Sequence, residues 1–121
     1  TDDRVLGQQH LQQQSLFELQ QQAELVICLE VAEHIEPAKA QDVVNSVAQA
    51  VETGGLLIWS AAHPGQGGVG HINCQPKDYW AQLITAAGLQ RDTETEQQML
   101  AHIGAGYHMG WFVQNAMVFR R

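Results

Sequence analysis

Two short segments of this chain concentrate the groups able to bind a cation or move a proton. The first, Glu30-Val31-Ala32-Glu33-His34-Ile35, sets two carboxylates and an imidazole within five residues, directly behind the apolar run Leu25-Val26-Ile27-Cys28-Leu29. The second, from His63 to Asn73, follows the apolar run Leu56-Leu57-Ile58-Trp59-Ser60-Ala61 and carries His63, His71 and Asn73 among four glycines. Carboxylate oxygens and imidazole nitrogens are ligands for divalent cations, and imidazole is the side chain that exchanges protons near neutral pH. Each residue also has a plainer reading. Glu30 and Glu33 can cap the turn, His34 can hydrogen-bond it, and the polar loop residues can be incidental to a surface loop.

The elements that would position these groups follow from periodicity. Both apolar runs read as strands covered on both faces, which suggests a parallel sheet. Between them Glu36-Pro37 places a proline at a first helical position, and Val43, Val47 and Val51 recur every four residues beside Val44 and Ala48. Gly54-Gly55 is expected to end this helix, completing a right-handed strand-helix-strand unit. Pro76 opens a second helix with Tyr79, Trp80, Leu83, Ile84 and Ala87 on its apolar side, and Gly88 closes it. A weak strand is expected at Leu89–Thr95, interrupted by Arg91, Asp92 and Glu94, then a short helix at Gln97–Ile103. A last strand is expected at Trp111–Phe119, where Trp111, Val113, Met117 and Phe119 alternate onto one face. Trp80 and Trp111 read as core; His102 and His108 read as surface. Alternating strands and helices make an α/β layer sandwich, in which the working edge lies at the carboxyl ends of the parallel strands. Both chemistry-bearing segments fall there.

Composition narrows the function classes. With 121 residues, 45% hydrophobic and 16% charged, the chain has material for one modest core. Thirteen acids against six bases give a net charge of -7, with no basic stripe to neutralise phosphates, which argues against nucleic acid as a partner. No apolar run approaches the roughly 18 residues of a membrane span, and the first residues lack a signal-peptide pattern; a cytoplasmic location is expected. Cys28 and Cys74 form no metal or disulfide pattern. Eight glutamines fall between positions 8 and 22, so residues 1–23 read as a lead-in and residues 24–121 as the α/β domain.

A buried strand ending in Glu-Val-x-Glu-His-Ile, then a helix, Gly-Gly-Leu-Leu-Ile and a loop of small residues, resembles the central and C-terminal part of class I S-adenosylmethionine-dependent methyltransferases. Gln114-Asn115-Ala116-Met117-Val118-Phe119 is similar to their last, antiparallel strand. The resemblance spans roughly residues 24 to 121. It implies a partial Rossmann-like sheet in a three-layer α/β/α arrangement, mainly parallel with an antiparallel C-terminal strand. It also implies S-adenosylmethionine as cofactor, with Leu29, Glu30 and Val31 beside the donor's methionine part. Small-RNA 3′-end and ubiquinone-pathway methyltransferases are similar in Glu-x-x-Glu-His, which there contributes ligands to a divalent metal. The matching residues are Glu30, Glu33 and His34, with His71 as a fourth ligand and His63 as its substitute. Such mixed ligands suit Mg²⁺, Mn²⁺ or Fe²⁺ better than a structural zinc. His34 or His71 would serve as the catalytic base, or the metal would activate the acceptor.

The family's glycine-rich donor-binding turn and ribose-binding acid have no counterpart before Leu25. The chain therefore reads either as the C-terminal portion of a longer methyltransferase or as a degenerate copy used for association. Gly65-Gln66-Gly67-Gly68-Val69-Gly70, with Asp92 some way on, matches a dinucleotide-binding fingerprint only literally. Those glycines are separated from the next helix, so they cannot present its N-terminus to a phosphate. A small-molecule or glycan acceptor is expected rather than nucleic acid, and no membrane. Self-association, or pairing with a missing N-terminal half, is expected through the Leu25–Leu29 edge.

Overall fold

The computed structural model describes residues 13–106 and 110–121. Its α/β fold is a mixed four-stranded sheet with flanking helices. Strand β1 (Ala23–Leu29) leads through short 3-10 turns at Ala32–His34 and Pro37–Lys39 into helix α1 (Ala40–Gln49), and then into β2 (Val51–Ser60). A long loop precedes α2 (Lys77–Ala86) and the two-residue β3 (Gln90–Arg91). Helices α3 (Thr93–Gly106) and α4 (Gly110–Asn115) and strand β4 (Met117–Arg120) follow. The strand order is β1-β2-β4-β3. As expected, β1 and β2 are parallel, with Leu29 beside Ser60, and β4 runs antiparallel to β2. β3 pairs antiparallel with β4. No helix among the described residues is long and apolar enough to cross a membrane.

The core lies on one face of the sheet. Val43, Val44, Val47 and Ala48 of α1 meet Cys28, Leu57, Trp59, Met117 and Phe119 of the strands, with Trp80 and Ile84 of α2 beside them. The Trp59 and Trp80 rings sit 5.6 Å apart. Leu16 and Leu19, within the segment read as lead-in, pack against this cluster. Burial pushes the Cys28 thiol up to about 12, with the Glu33 charge adding to the effect. Because the thiolate is the reactive form, a neutral-charge thiol reagent at pH 8 should label half-buried Cys74 and leave Cys28 unlabelled until the chain is denatured. Mass spectrometry of the labelled peptides reads this directly, and labelling of native Cys28 would contradict its placement.

Four expectations need correction. First, α1 ends at Gln49, and Val51 already belongs to β2, where it is fully buried. Gly54 and Gly55 accommodate a bulge inside β2, where the register passes from Ala23 beside Val51 to Leu25 beside Leu56. Gly54 has φ +83°, and a Cβ on Gly55 would lie 2.9 Å from the carbonyl oxygens of Glu24 and Glu52. Second, residues 111–115 are helical. Phe112 and Asn115 are buried at the i, i+3 spacing of one helical face, the Ala116 N–H closes the helix on the Phe112 carbonyl, and Trp111 is 41% exposed rather than core.

Third, the weak strand shortens to Gln90–Arg91, and Asp92 and Glu94 begin α3, which is longer than expected. Asp92 accepts from the Thr95 N–H (3.0 Å) and hydroxyl (2.8 Å) and pairs with Arg120 (2.9 Å). Those bonds hold its carboxyl below the usual range, the Thr95 N–H contributing most. Asp92 is thus a helix cap and not a ribose-binding acid. Glu96 accepts from Nε and Nη2 of Arg91 and from the Val118 N–H, tying α3 to β3 and β4.

Fourth, the described residues cover β1 on one face only. Leu25 and Ile27, which alternate with core-facing Val26 and Cys28, are 51% and 56% exposed. Its outer edge has no strand partner among the described residues.

Candidate functional site

The site begins where β1 ends. Glu30 adopts φ +53°, the left-handed conformation that costs a non-glycine residue on the order of 1 kcal/mol or more. This reversal sends the chain into the 3-10 turn Ala32–His34, which drives Glu33 into the interior and leaves His34 exposed. Opposite lies the loop between β2 and α2. The N–H groups of Ile72 and Asn73 both donate to the Glu33 carbonyl, at 3.0 and 2.9 Å. The register of β1 on β2 brings the two segments together, and these bonds fasten them.

Their side chains meet as a result. The His34 and His71 rings stand edge to face with centroids 4.7 Å apart. One ligand atom from each of Glu33, His34 and His71 can be chosen so that all three lie within 4.8 Å of one another. His34 Nδ1 lies 3.0 Å from the Gly70 carbonyl. A carbonyl only accepts, so Nδ1 carries a proton and Nε2 is the nitrogen left to ligate, the arrangement seen when a second bond orients a ligating imidazole. Glu33 is fully buried, yet neither carboxylate oxygen has a hydrogen-bond partner, and His71 Nδ1 is buried and unpartnered too. Each such orphan costs about 1 to 3 kcal/mol, and more for a charge. A divalent cation is the partner this donor set fits.

Two of the loop's four glycines are explained by these imidazoles. Gly68 has φ +138°, and a Cβ there would fall 2.4 to 2.8 Å from three atoms of the His71 ring. Gly70 has φ +74°, and its Cβ would lie 3.2 Å from His34 Nδ1. The second half of the literal dinucleotide pattern is thus a recess for two histidines. Gly68→Ala should push His71 out of the cluster and, if the cluster holds Mn²⁺, weaken its binding about tenfold or more, as loss of ligand support does elsewhere. Paramagnetic relaxation of the His71 ring protons would register this, and unchanged affinity would contradict it.

Glu30 lies outside that group. Its carboxylate accepts from the Ser60 hydroxyl and the Gln66 amide, both at 3.1 Å. Gln66 Oε1 in turn accepts from Asn115 Nδ2 at 2.8 Å, and Asn115 Oδ1 faces His63 Nδ1 at 3.0 Å. His63 is therefore tied to α4 rather than to the Glu33 cluster. Leu29 and Val31 line an open groove of about 460 Å³ along β1, with Leu16, Leu19 and Ile27. Asn73 is buried beneath the loop, whereas Val69 and Ile72 face outward. His102 is exposed, and His108 lies outside the described residues.

Ser60, Gln66 and Asn115 were missed as site residues. Only Ser60 carried a usable signal, as a hydroxyl at the end of a buried strand. In sequence Gln66 is indistinguishable from other loop glutamines, and Asn115 falls in a segment whose alternation predicts a strand.

No family model matches the sequence, and no curated protein is significantly similar to it. Solved structures are similar in fold. The chain superposes on the [4+2]-cyclase SpnF with a TM-score of 0.61 at 14% identity, covering 98% of this chain and 58% of SpnF. It matches LepI in complex with SAM with a TM-score of 0.57 at 18% identity, over 88% of this chain and 29% of LepI. The StiE O-MT gives a TM-score of 0.53 at 17% identity, over 96% of this chain and 50% of the other. The fold is methyltransferase-like, and the chain spans 29% to 58% of the length of these neighbours.

Proposed function

We propose that this chain is the acceptor-side part of an S-adenosylmethionine-dependent methyltransferase domain, transferring a methyl group to an oxygen or nitrogen with a divalent metal assisting. The observation that carries the reading is the buried, unpartnered Glu33 carboxylate converging with His34 and His71 at the carboxyl edge of a methyltransferase-like sheet. Glu33, His34 and His71 would hold Mg²⁺ or Mn²⁺. Such an ion, when bound, lowers the pKa of an acceptor hydroxyl. Without it, His34 Nε2 or His71 is the base within reach of an acceptor under the loop. Leu29, Glu30 and Val31 would flank the donor's methionine part, so that catalysis is mostly proximity and orientation. The acceptor class is a small molecule or glycan.

Nothing in residues 13–106 or 110–121 supplies a glycine-rich donor cradle. S-adenosylhomocysteine should therefore bind this span no more tightly than a Kd of about 1 mM, equivalent to roughly 4 kcal/mol. In an NMR titration the amides of Leu29, Glu30 and Val31 should move first. Shifts centred elsewhere, or micromolar affinity, would overturn the placement.

A second reading, a noncatalytic module used for association, is favoured by the outer edge of β1, which has no strand partner among the described residues, and by the exposure of Leu25 and Ile27. An unprotected apolar edge is a template for another strand.

A further inference from the structure

We propose that the two carboxylates of Glu30-x-x-Glu33 have separate tasks. Glu33 belongs to the cation cluster, whereas Glu30 is held off it to receive an ammonium group, with Gln66 as its positioning residue. The identification of that ammonium with the donor's own rests on the methyltransferase reading; the division of labour does not.

The geometry separates them. Among the described residues the only ligand-competent group at this edge contains Glu33, His34 and His71 and leaves Glu30 out. Glu30 is half-buried, and its side-chain partners are neutral donors, the Ser60 hydroxyl and the Gln66 amide. The two described ion pairs, Arg91–Glu96 and Arg120–Asp92, lie elsewhere. Two neutral bonds fix the direction of a carboxylate and leave its charge uncompensated, with lone pairs still open. A charge-assisted bond to a cation is about twice as strong as a neutral one, so an ammonium is the ligand that gains most there.

The support behind Gln66 is directional. Its oxygen is engaged by Asn115 Nδ2, which leaves the amide N–H₂ to face Glu30. Asn115 Oδ1, an acceptor, fixes the proton of His63 on Nδ1. The relay runs from α4 through the glycine-rich loop to the strand end. Gly65 and Gly67 flank Gln66 at φ +87° and +74°, left-handed conformations that favour glycine.

The test is an NMR titration of the 121-residue protein with S-adenosylhomocysteine and with its analogue lacking the α-amino group, alongside Mn²⁺. The parent should prefer the amino-bearing ligand about tenfold or more. Glu30→Gln should bind both alike and keep its Mn²⁺ affinity, which Glu33→Gln loses. Gln66→Ala should reduce the amino preference several-fold without changing Mn²⁺ broadening of His71, and in a double-mutant cycle with Glu30→Gln the two should be non-additive. A merely structural role would weaken both ligands equally. Equal binding of the two ligands to the parent, or loss of Mn²⁺ affinity in Glu30→Gln, overturns the proposal. If S-adenosylhomocysteine shifts nothing but L-methioninamide still shifts Glu30 in the parent and not in Glu30→Gln, the ammonium site stands and the methyltransferase reading falls. Silence from both probes overturns the assignment.

Discussion

Mn²⁺ at about one hundred times its Kd should stabilise the chain by about 2.7 kcal/mol and raise its melting midpoint by about 10 °C. Glu33→Gln should abolish the increase. The metal-free state makes the comparison sharper. Without a cation, the parent buries a carboxylate whose two oxygens have no partner, and burying an unpaired charge is more expensive than burying an amide. The metal-free variant should therefore be at least as stable as the metal-free parent. The order of the two proteins then reverses on adding Mn²⁺. Calorimetric scans with and without the ion would show the crossing. A rise that persists in Glu33→Gln, or a parent unaffected by several millimolar Mn²⁺, would remove the cation from this site.

What could be read from residue types alone follows a physical division. The parallel pairing of β1 with β2 was legible because both runs are continuously apolar and the helix between them has a four-residue period. The convergence of His34 with His71 was legible in outline, since parallel neighbours end at the same edge and their loops must approach. The fate of Glu30 was not. It turns on a left-handed φ and on a hydrogen bond from Gln66, whose signal in sequence is no stronger than that of any loop glutamine. The alternation of Trp111 and Val113 misled because a six-residue helix and a short strand differ little over so few positions. What decides there is the burial of Phe112 and Asn115 against neighbours far away in sequence. Gly54-Gly55 carried the right information, a backbone needing glycine, attached to the wrong event. The residues signalled a bulge in a strand, and the turn after a helix uses the same conformation.

At about 100 μM the chain should self-associate through β1, and Ile27→Lys should return it to monomer. Half-exposed Leu25 and Ile27 would each contribute about 1 kcal/mol on being covered, so two copies bring about 4 kcal/mol together with the strand hydrogen bonds. Losses of translational and rotational freedom are of the same order or larger, which makes the contact weak and dependent on concentration. A net charge of -7 on each copy opposes it further, so raising the salt concentration should strengthen the association rather than weaken it. Ile27 is the informative position because its side chain lies on the bare face, away from the core of Cys28 and Trp59. A lysine there adds the charge with which natural edge strands resist pairing, and circular dichroism should show the fold intact. Light scattering that finds the parent monomeric throughout, or the same mass for Ile27→Lys, would exclude this edge as an interface. A complex formed only with a second, different polypeptide, and abolished by the same lysine, would assign the edge to that partner instead.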